Sequence, residues 1–399
     1  MIVQRFTPYD KVGARRWSKF IHYLQKNENL KISVLTQSYY SAFDNPWNVE
    51  FDKEKVDIIY INDFFSIIQK KFPLFNRLTY FIQYKLLKYT DEGYGFSKKA
   101  FKFLKEKESK ITPTVIIASC PAFSTCYFAA KYKIRFPQKK VINDFRDAWI
   151  DGFFAWNKSI DASHPSYKKQ VEMESFALNN CDIVVSVTPE LIEKFKSKIK
   201  DQKVATHLIT NGYDKRDYII SDLSYPVQFD KKKINICHFG TLDFGRDDEF
   251  LKLITASEIP ENFVFFLIGT ITEKLQKEIR GKNNIVYIKQ LPANKLRPFL
   301  FYSDFHLIIN DPEFYYAYGS KIFDAMLYLK PIAYISKENS LSSKYKSSKG
   351  FFYSDSSVTS NESLLKQMAS YKYLQDEIPN YTTFEIENLA KEYYQLIAN

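Results

Sequence analysis

INICHFGTLDFGR, residues 234–246, begins as an apolar β-type run and ends in a glycine-rich turn, before a helix that starts near Asp247. A strand, a glycine turn and a helix in this order form the repeating unit of parallel α/β sheets. Gly240 lets the backbone approach a ligand closely, and Arg246 can hold two phosphate oxygens at once. The stretch therefore predicts an α/β unit with an anion site at a strand end. The alternative is a plain strand-to-helix turn with a surface arginine.

The same alternation of strand-like and helix-like runs extends in both directions from this unit. In the first half, the predicted strands span residues 31–36, 56–61, 114–119, 140–143, 182–187 and 207–210. In the second half, they span residues 234–239, 263–268, 285–288, 305–309, 331–335 and 351–353. A chain of 399 residues exceeds what one hydrophobic core normally serves. We therefore predict an α/β fold with two doubly wound, Rossmann-like sheets.

A turn and a linker separate the two halves. NGYD, residues 211–214, and the polar residues that follow it to about 233 are typical of such a connection. We place the domain boundary there, with residues 1–213 as the first domain and residues 214–380 as the second. Residues 381–399 have helical periodicity after a proline break. We predict that this C-terminal helix returns to the first domain.

Composition and charge limit the classes of protein that this sequence fits. Hydrophobic residues make up 45% and charged residues 26%, which is typical of a globular chain. The formal charge of +11 favours an anionic partner, which is nucleic acid, a membrane face or a phosphorylated substrate. No zinc-finger, KH or RRM motif occurs, so we predict no nucleic-acid partner. No run approaches the roughly 18 apolar residues of a transmembrane helix, and we expect a soluble or peripheral protein.

Cysteines and histidines lack metal-ligand spacing. The four cysteines are scattered without CxxC pairs, at Cys120, Cys126, Cys181 and Cys237. This pattern predicts neither a zinc site nor a disulfide framework, and it fits a reducing compartment. We expect no metal ion and no cofactor.

GSKIFDAMLYLKPI, residues 319–332, predicts a helix whose start lies at the same edge of the second sheet. Ser320 is a good N-cap, and a lysine and a proline end the helix before the next strand. Free backbone N–H groups and Lys321 would favour a phosphate, and Asp324 could accept hydrogen bonds from ribose hydroxyls. The alternative is an ordinary capped helix with a solvated lysine and aspartate. Gly269 follows the strand at 263–268 and predicts a further glycine turn, besides those at Gly240 and Gly319.

The order of these and other segments resembles the retaining glycosyltransferase family 4, in its bacterial surface-polysaccharide branch, over nearly the whole chain. The further segments that carry the resemblance are Gly13 before Arg15-Arg16-Trp17, DFRDAW at 144–149, CDIVVSVT at 181–188, ITNGYD at 209–214, FLIG at 266–269 and SDF at 303–305. The resemblance implies the GT-B fold, in which two Rossmann-like domains face an interdomain cleft, with an acceptor-side first domain and a nucleotide-sugar-binding second domain.

The resemblance also implies roles for individual residues. The donor nucleotide sugar would contact Gly13, Gly240, Thr241, Arg246, Gly269, Gly319, Ser320, Lys321 and Asp324. Catalysis would involve Arg246, Lys321, Asp144, Arg146 and Asp147, and the acceptor would meet Arg15, Arg16, Asp144 and Arg146. Arg246 and Lys321 would stabilise the departing diphosphate without a metal ion.

Three positions depart from the pattern of the family. Thr241 stands where the family often has an arginine, and Tyr316 stands where the first glutamate of the family's ExxxxxxxE pair would be. Asp324 takes the place of the family's ribose-binding glutamate. The DFRDAW segment also has a second interpretation, in which an Arg–Asp ion pair braces a loop and Trp149 anchors it in the core.

The resemblance implies a retaining glycosyltransferase that moves a sugar from a UDP- or GDP-type donor to a glycan or a lipid-linked glycan. Its setting would be bacterial capsule or O-antigen synthesis, in the cytoplasm or peripherally on the inner face of the membrane. The alternatives are a catalytically silent GT-B scaffold subunit and a sugar-nucleotide 2-epimerase.

Residues 70–89 are basic and aromatic, and two interpretations of them are open. The segment either lies on an anionic membrane that presents a lipid-linked acceptor, or forms an amphipathic helix packed on the first sheet with its lysines outward.

Overall fold

The computed structural model describes the chain except for residues 39–46, 88, 108–111, 154–161, 220, 222 and 373–376. Contacts divide it into two compact units. The first unit comprises Met1–Asn211 and Ile386–Asn399, and the second comprises Gly212–Glu385.

A parallel seven-stranded sheet forms the centre of the first unit in the described residues, with the strand order β3-β2-β1-β4-β5-β6-β7. The strands are β1 (Ile2–Val3), β2 (Ile32–Thr36), β3 (Val56–Tyr60), β4 (Val115–Cys120), β5 (Lys140–Phe145), β6 (Ile183–Ser186) and β7 (Ala205–Leu208). Strand β1 was not predicted, because two apolar residues are too few to show a period. It is nevertheless an interior strand of the sheet, where Ile2 pairs with Leu35 on one side and with Ala118 on the other.

Helices cover both faces of this sheet. Their bounds are Arg15–Leu24, Phe64–Lys71, Asn76–Phe81, Tyr94–Glu106, Ser124–Arg135, Pro165–Asn179, Pro189–Lys196 and Ile386–Ala398. The last of them packs on the first, since the Tyr393 ring lies 4.9 Å from that of Trp17 and 5.5 Å from that of Phe20. The C-terminal helix therefore shares the core of the first unit.

The second unit has a parallel six-stranded sheet with the strand order β10-β9-β8-β11-β12-β13. The strands are β8 (Ile234–Leu242), β9 (Phe263–Ile271), β10 (Ile285–Lys289), β11 (Phe305–Ile309), β12 (Ile332–Ile335) and β13 (Phe351–Ser354). The helices are Arg246–Ala256, Glu273–Glu278, Ala293–Tyr302, Lys321–Leu327, Ser340–Tyr345 and Val358–Ser370.

Successive side chains of β8 enter different cores, one on each face of the sheet. Ile236 packs in one cluster with Phe265, and Cys237 packs in the other with Phe266. Burial on both faces explains why the strands of this unit are continuous apolar runs. The predicted α/β fold with two parallel sheets is confirmed.

Among the described residues, none of the helices is both long enough and apolar enough to cross a bilayer.

Candidate functional site

Two glycines lie side by side where β8 and β9 reach the carboxyl edge of the second sheet. Gly240 pairs with Gly269, and their φ angles are +94° and +148°. A Cβ atom on Gly269 would lie 1.9 Å from the carbonyl oxygen of Gly240, and a Cβ atom on Gly240 would lie 2.3 Å from Cε of Lys321. Both positions therefore need glycine, because the backbone turns left-handed and a neighbour lies too close for a side chain.

Lys321 lies against this pair of glycines. Its Nζ atom donates a hydrogen bond of 2.8 Å to the carbonyl oxygen of Thr241. Burial and the nearby Arg246 lower the pKa of Lys321 to about 7, although Asp243 and Asp324 act in the opposite direction. A bound anion would restore the charge of this lysine at neutral pH.

Arg246 supplies the second cation and is the first residue of its helix. Gly245, with φ +87°, turns the chain into that helix. The guanidinium donates 2.8 Å from Nη2 to Oδ1 of Asp243, a residue that the sequence analysis did not single out. Arg246 and Lys321 thus lie near each other at this edge of the sheet, and Asp243, Asp324 and Asp311 are the carboxylates that act on one or the other. Two neighbouring cations favour an anionic ligand that contacts both.

His238 lies beneath the two cations and carries no charge near neutral pH. Its Nδ1 atom is 2.9 Å from the carbonyl oxygen of Leu307, and its Nε2 atom has no hydrogen-bond partner within the described part of the chain. Burial, Lys321 and Arg246 hold the pKa of His238 well below its usual value. The positive charge of the site therefore comes from Arg246 and Lys321.

The helix start at Ser320 differs from the prediction. The helix does begin there, at Lys321, but Ser320 itself has helical torsion angles and its side chain makes no capping hydrogen bond. The amides of Ile322 and Phe323 donate to the carbonyls of Gly319 and Ser320, both at 3.2 Å, so they are not free for a phosphate. The predicted cap is wrong, and the amides of this first turn are partly used within the turn.

Two further residues of the predicted donor site, Gly319 and Asp324, lie at the start of the helix Lys321–Leu327. Asp324 is half-buried on the first turn of the helix, one turn after Lys321. A side chain at Gly319 would meet open space. Tyr316 is 5% exposed and packs on the Phe314 and Tyr315 rings. Tyr316 thus belongs to the packed interior of the second unit.

In the first unit, the carboxylate of Asp144 is fully buried at the end of β5. It accepts hydrogen bonds from Nε1 of Trp17 at 2.8 Å and from Oγ of Ser119 at 2.7 Å. It also pairs with Nη2 of Arg16 at 3.3 Å. The predicted contact of Asp144 with a sugar is therefore contradicted, because its oxygens face the interior and hold the first helix on the sheet.

Arg16 is buried in the same network. Besides Asp144, its guanidinium contacts the carbonyls of Ile209 at 2.8 Å and Thr210 at 2.5 Å. The predicted contact of Arg16 with an acceptor is also contradicted, since these donors are committed within the protein. Arg15, its neighbour, is half-buried.

Arg146 fastens the Gly13 turn to the edge of the first sheet. Its Nε atom donates 2.6 Å to the carbonyl of Cys120, and Nη1 donates 2.7 Å to the carbonyl of Gly13. Burial lowers the pKa of Arg146, and its Nη2 atom has no partner among the described residues. Asp147, in contrast, is exposed. The predicted trio of charged residues is therefore divided, and Arg146 binds backbone carbonyls.

Trp149 anchors the loop at residues 144–149 in the core, as the second interpretation of the DFRDAW segment predicted. It is 2% exposed, stacks on Phe123 with ring centroids 5.1 Å apart and donates to Gln170 at 2.8 Å. The ion pair expected in that interpretation is not the one formed: Asp144 pairs with Arg16 of the first helix, and Arg146 of the segment donates to backbone carbonyls.

The four cysteines are buried and free. In the residues that the structure describes, no group of three or more histidine, cysteine, aspartate or glutamate side chains is arranged to hold a metal ion.

Comparisons with known proteins rest on structure. No protein-family model matches the sequence, and no curated protein matches it. The sucrose-phosphate synthase of Thermosynechococcus elongatus superposes with a TM-score of 0.64 at 13% identity, covering 95% of this chain and 91% of that chain.

Two further solved structures are similar. The UDP-forming α,α-trehalose-phosphate synthase of Burkholderia xenovorans, in complex with glucose-6-phosphate, gives a TM-score of 0.63 at 10% identity and covers 100% of this chain and 99% of that chain. A Listeria monocytogenes protein provisionally designated a UDP-N-acetylglucosamine 2-epimerase gives 0.57 at 12% identity, covering 99% and 95%. At such low identity the likeness establishes architecture alone: the chain has the GT-B fold that its sequence predicted.

Proposed function

We propose that this protein is a glycosyltransferase that takes a sugar from a nucleoside-diphosphate donor, of the UDP or GDP type, and transfers it with retention. The acceptor is a glycan or a lipid-linked glycan, and the setting is the synthesis of a bacterial surface polysaccharide such as capsule or O-antigen. Retention, acceptor and setting rest on the sequence resemblance to family 4.

The observation that carries the proposal is the pair of cations beside the glycines of β8 and β9. Lys321 and Arg246 are close enough for one to lower the pKa of the other, and Asp243 pairs with Arg246. Because Gly240 and Gly269 have no side chains, the two strand ends and Lys321 lie close together, which holds the lysine at this edge of the sheet. In the reaction, the two cations would stabilise the charge that develops on the departing diphosphate.

The three similar proteins favour UDP over GDP as the first donor to test. One is named as UDP-forming and another as a UDP-sugar epimerase. A thermal-shift panel of UDP- and GDP-sugars tests the proposal directly. We expect a UDP-sugar to raise the melting temperature, by an amount that grows with concentration over Kd. A panel in which every nucleotide sugar leaves the melting temperature unchanged would refute the donor site.

Two rival functions share this site. A scaffold subunit would bind the nucleotide sugar without turnover, whereas a transferase would release nucleoside diphosphate when an acceptor is added. A 2-epimerase would convert the donor sugar without any acceptor. Measuring nucleoside diphosphate and the donor sugar in the same reaction separates all three.

The affinity for a nucleotide sugar should fall as the pH rises above 7. Lys321 has a pKa of about 7 in the free protein, so its charge is present below pH 7 and lost above it. A bound diphosphate favours the charged form, and affinity should decrease about tenfold per pH unit between about 7 and 9. The other groups around the lysine are Arg246, Asp243, Asp324 and the neutral His238. Calorimetric titrations across this range provide the measurement.

A Lys321→Arg variant is the control for this pH dependence. Arginine keeps its charge throughout the range, so its titration profile should be flat. A flat profile for the unmodified protein would contradict the role given to Lys321.

A further inference from the structure

An apolar surface in the first unit is exposed to solvent over residues 64–87, which we call the aromatic segment. It consists of the helices Phe64–Lys71 and Asn76–Phe81, a 3-10 turn at Pro73–Phe75 and a π-helical turn at Ile82–Leu86. Of the twenty-one large apolar side chains that are exposed in the described part of the chain, eleven lie in this segment: Phe64, Ile67, Phe72, Leu74, Phe75, Leu78, Tyr80, Phe81, Tyr84, Leu86 and Leu87.

The burial pattern of this segment is inverted relative to an ordinary surface helix. Thr79 and Gln83, four residues apart on one helical face, are 4% and 3% exposed. Leu78 and Phe81, beside them, are 53% and 55% exposed, and Leu74 is 96% exposed. A helix that packs on a sheet turns its apolar face inward. The interpretation of an amphipathic helix packed on the first sheet with its lysines outward is therefore wrong, because its apolar side chains are exposed as well.

The charges of the segment have one sign. The sequence from Phe64 to Tyr89 contains five lysine or arginine residues and no aspartate or glutamate. Arg77 and Lys85 are exposed among the apolar side chains. Aromatic and aliphatic side chains interspersed with cations suit the interface of an anionic bilayer, where the rings enter the headgroup region and the cations contact lipid phosphates.

A second copy of the chain fits this surface less well than a bilayer does. In a symmetric dimer, the same patch meets itself, so the basic residues of one copy would face those of the other. An anionic lipid surface instead neutralises them. Charge complementarity therefore favours lipid as the occupant.

We propose that the aromatic segment docks this protein peripherally on an anionic lipid bilayer. The exposed apolar side chains enter the boundary between headgroups and acyl chains, and Arg77 and Lys85 hold lipid phosphates. This inference is independent of the proposed transferase function.

Vesicle flotation tests the inference with the full chain. Vesicles of phosphatidylcholine are compared with vesicles that also contain phosphatidylglycerol, at low and at high salt. We expect at least tenfold more protein on the anionic vesicles at low salt, and less binding at high salt because salt screens the lipid charge. Equal binding to both vesicles, or none to either, overturns the proposal.

Two double variants separate the apolar and the electrostatic contributions. Leu74→Ser with Phe75→Ser removes apolar contacts, and Arg77→Glu with Lys85→Glu reverses two charges. Each should lower the bound fraction at least tenfold on anionic vesicles. If either double variant binds anionic vesicles as well as the unmodified protein does, the proposal is contradicted.

Matched controls lie in the second unit. Val227→Ser with Val358→Ser changes two apolar residues that are 92% and 61% exposed. Lys277→Glu with Lys282→Glu changes the net charge by the same amount at exposed positions. Both should leave vesicle binding unchanged, and a loss equal to that of the segment variants would show a general effect of charge or surface polarity and overturn the proposal.

Size-exclusion chromatography and thermal shift complete the test. A dimer that Leu74→Ser with Phe75→Ser converts to a monomer would identify a second copy as the occupant and overturn the lipid proposal. All segment variants should retain stabilisation by a nucleotide sugar, which shows that they fold. Failure of vesicle binding is thereby distinguished from failure of the donor site.

Discussion

A chain that carries both Arg246→Ala and Lys321→Met is expected to bind a UDP-sugar about a thousandfold more weakly than the unmodified protein, because hydrogen bonds to charged groups contribute about 1.5–3 kcal/mol each. Arg246 is a fifth exposed and is held by Asp243, and Lys321 lies over Gly240. Removal of both cations leaves Asp243 to repel the diphosphate. Isothermal titration calorimetry measures the change, and the melting temperature without ligand shows whether the variant is folded.

Lys330→Met is the matched control for the loss at Lys321. Lys330 is also half-buried, and burial lowers its pKa too, but it precedes β12 at the opposite edge of the sheet. Its Nζ atom lies 5.7 Å from the centre of the Phe301 ring. The control should retain the affinity of the unmodified protein. If the double variant and the control bind the UDP-sugar equally well, the assignment of the two cations to a diphosphate is wrong.

The second large effect concerns stability. Asp144→Ala should lower the free energy of unfolding by about 3–5 kcal/mol, because removal of one partner leaves a buried charge uncompensated. The charge in question is on Arg16, whose side chain is 5% exposed. Trp17 and Ser119 would also lose the acceptor of their hydrogen bonds. Urea denaturation, followed by tryptophan fluorescence, gives the difference.

Asp147→Ala tests whether burial, and not charge alone, causes this loss. Asp147 lies three residues further along the chain and its side chain is exposed, so its interactions with Arg146 and Arg5 are those of a surface charge. Its removal should lower the free energy of unfolding by no more than about 1 kcal/mol. Equal losses for the two alanine variants would contradict the structural role of Asp144. Asp144→Asn, which keeps one oxygen acceptor, should fall between them.

Sequence periodicity predicted most of the sheet strands because each is a continuous apolar run bounded by turn residues. In the second sheet, Phe305–Ile309 has the predicted bounds, and the other strands differ by a few residues at one end. Strand β1 was missed, although it is an interior strand of its sheet. Its position is decided by pairing with β2 and β4, which are remote in sequence.

The candidate site was predicted less completely than the fold, for two physical reasons. Charged residues at strand ends were expected to face a ligand, because charge usually stays in contact with water. Asp144 and Arg16 compensate each other in the interior, and a sequence does not show which distant partner neutralises a charge. Asp243 was overlooked for the opposite reason, since its ion pair with Arg246 is local and resembles an ordinary turn.

The glycines at the strand ends of the second sheet were predicted correctly as turn positions, because the need for glycine depends on the local backbone conformation and not on a distant partner. Gly240, Gly245 and Gly269 all have left-handed φ angles. The aromatic segment shows the limit of periodicity: its pattern predicts a helix with two faces, but not which face is outward. Only the burial of Thr79 and Gln83 settles that direction.

The C-terminal helix Ile386–Ala398 has a consequence for how the chain is made. Because this helix covers Trp17 and belongs to the unit that begins at the other end of the chain, that unit cannot close its core until the helix has left the ribosome. Gly212–Glu385 is continuous and needs no residue of the C-terminal helix to complete its own core. The unit whose synthesis begins first is therefore completed last. Until the C-terminal helix packs on it, the apolar surface around Trp17 and Phe20 stays exposed to solvent.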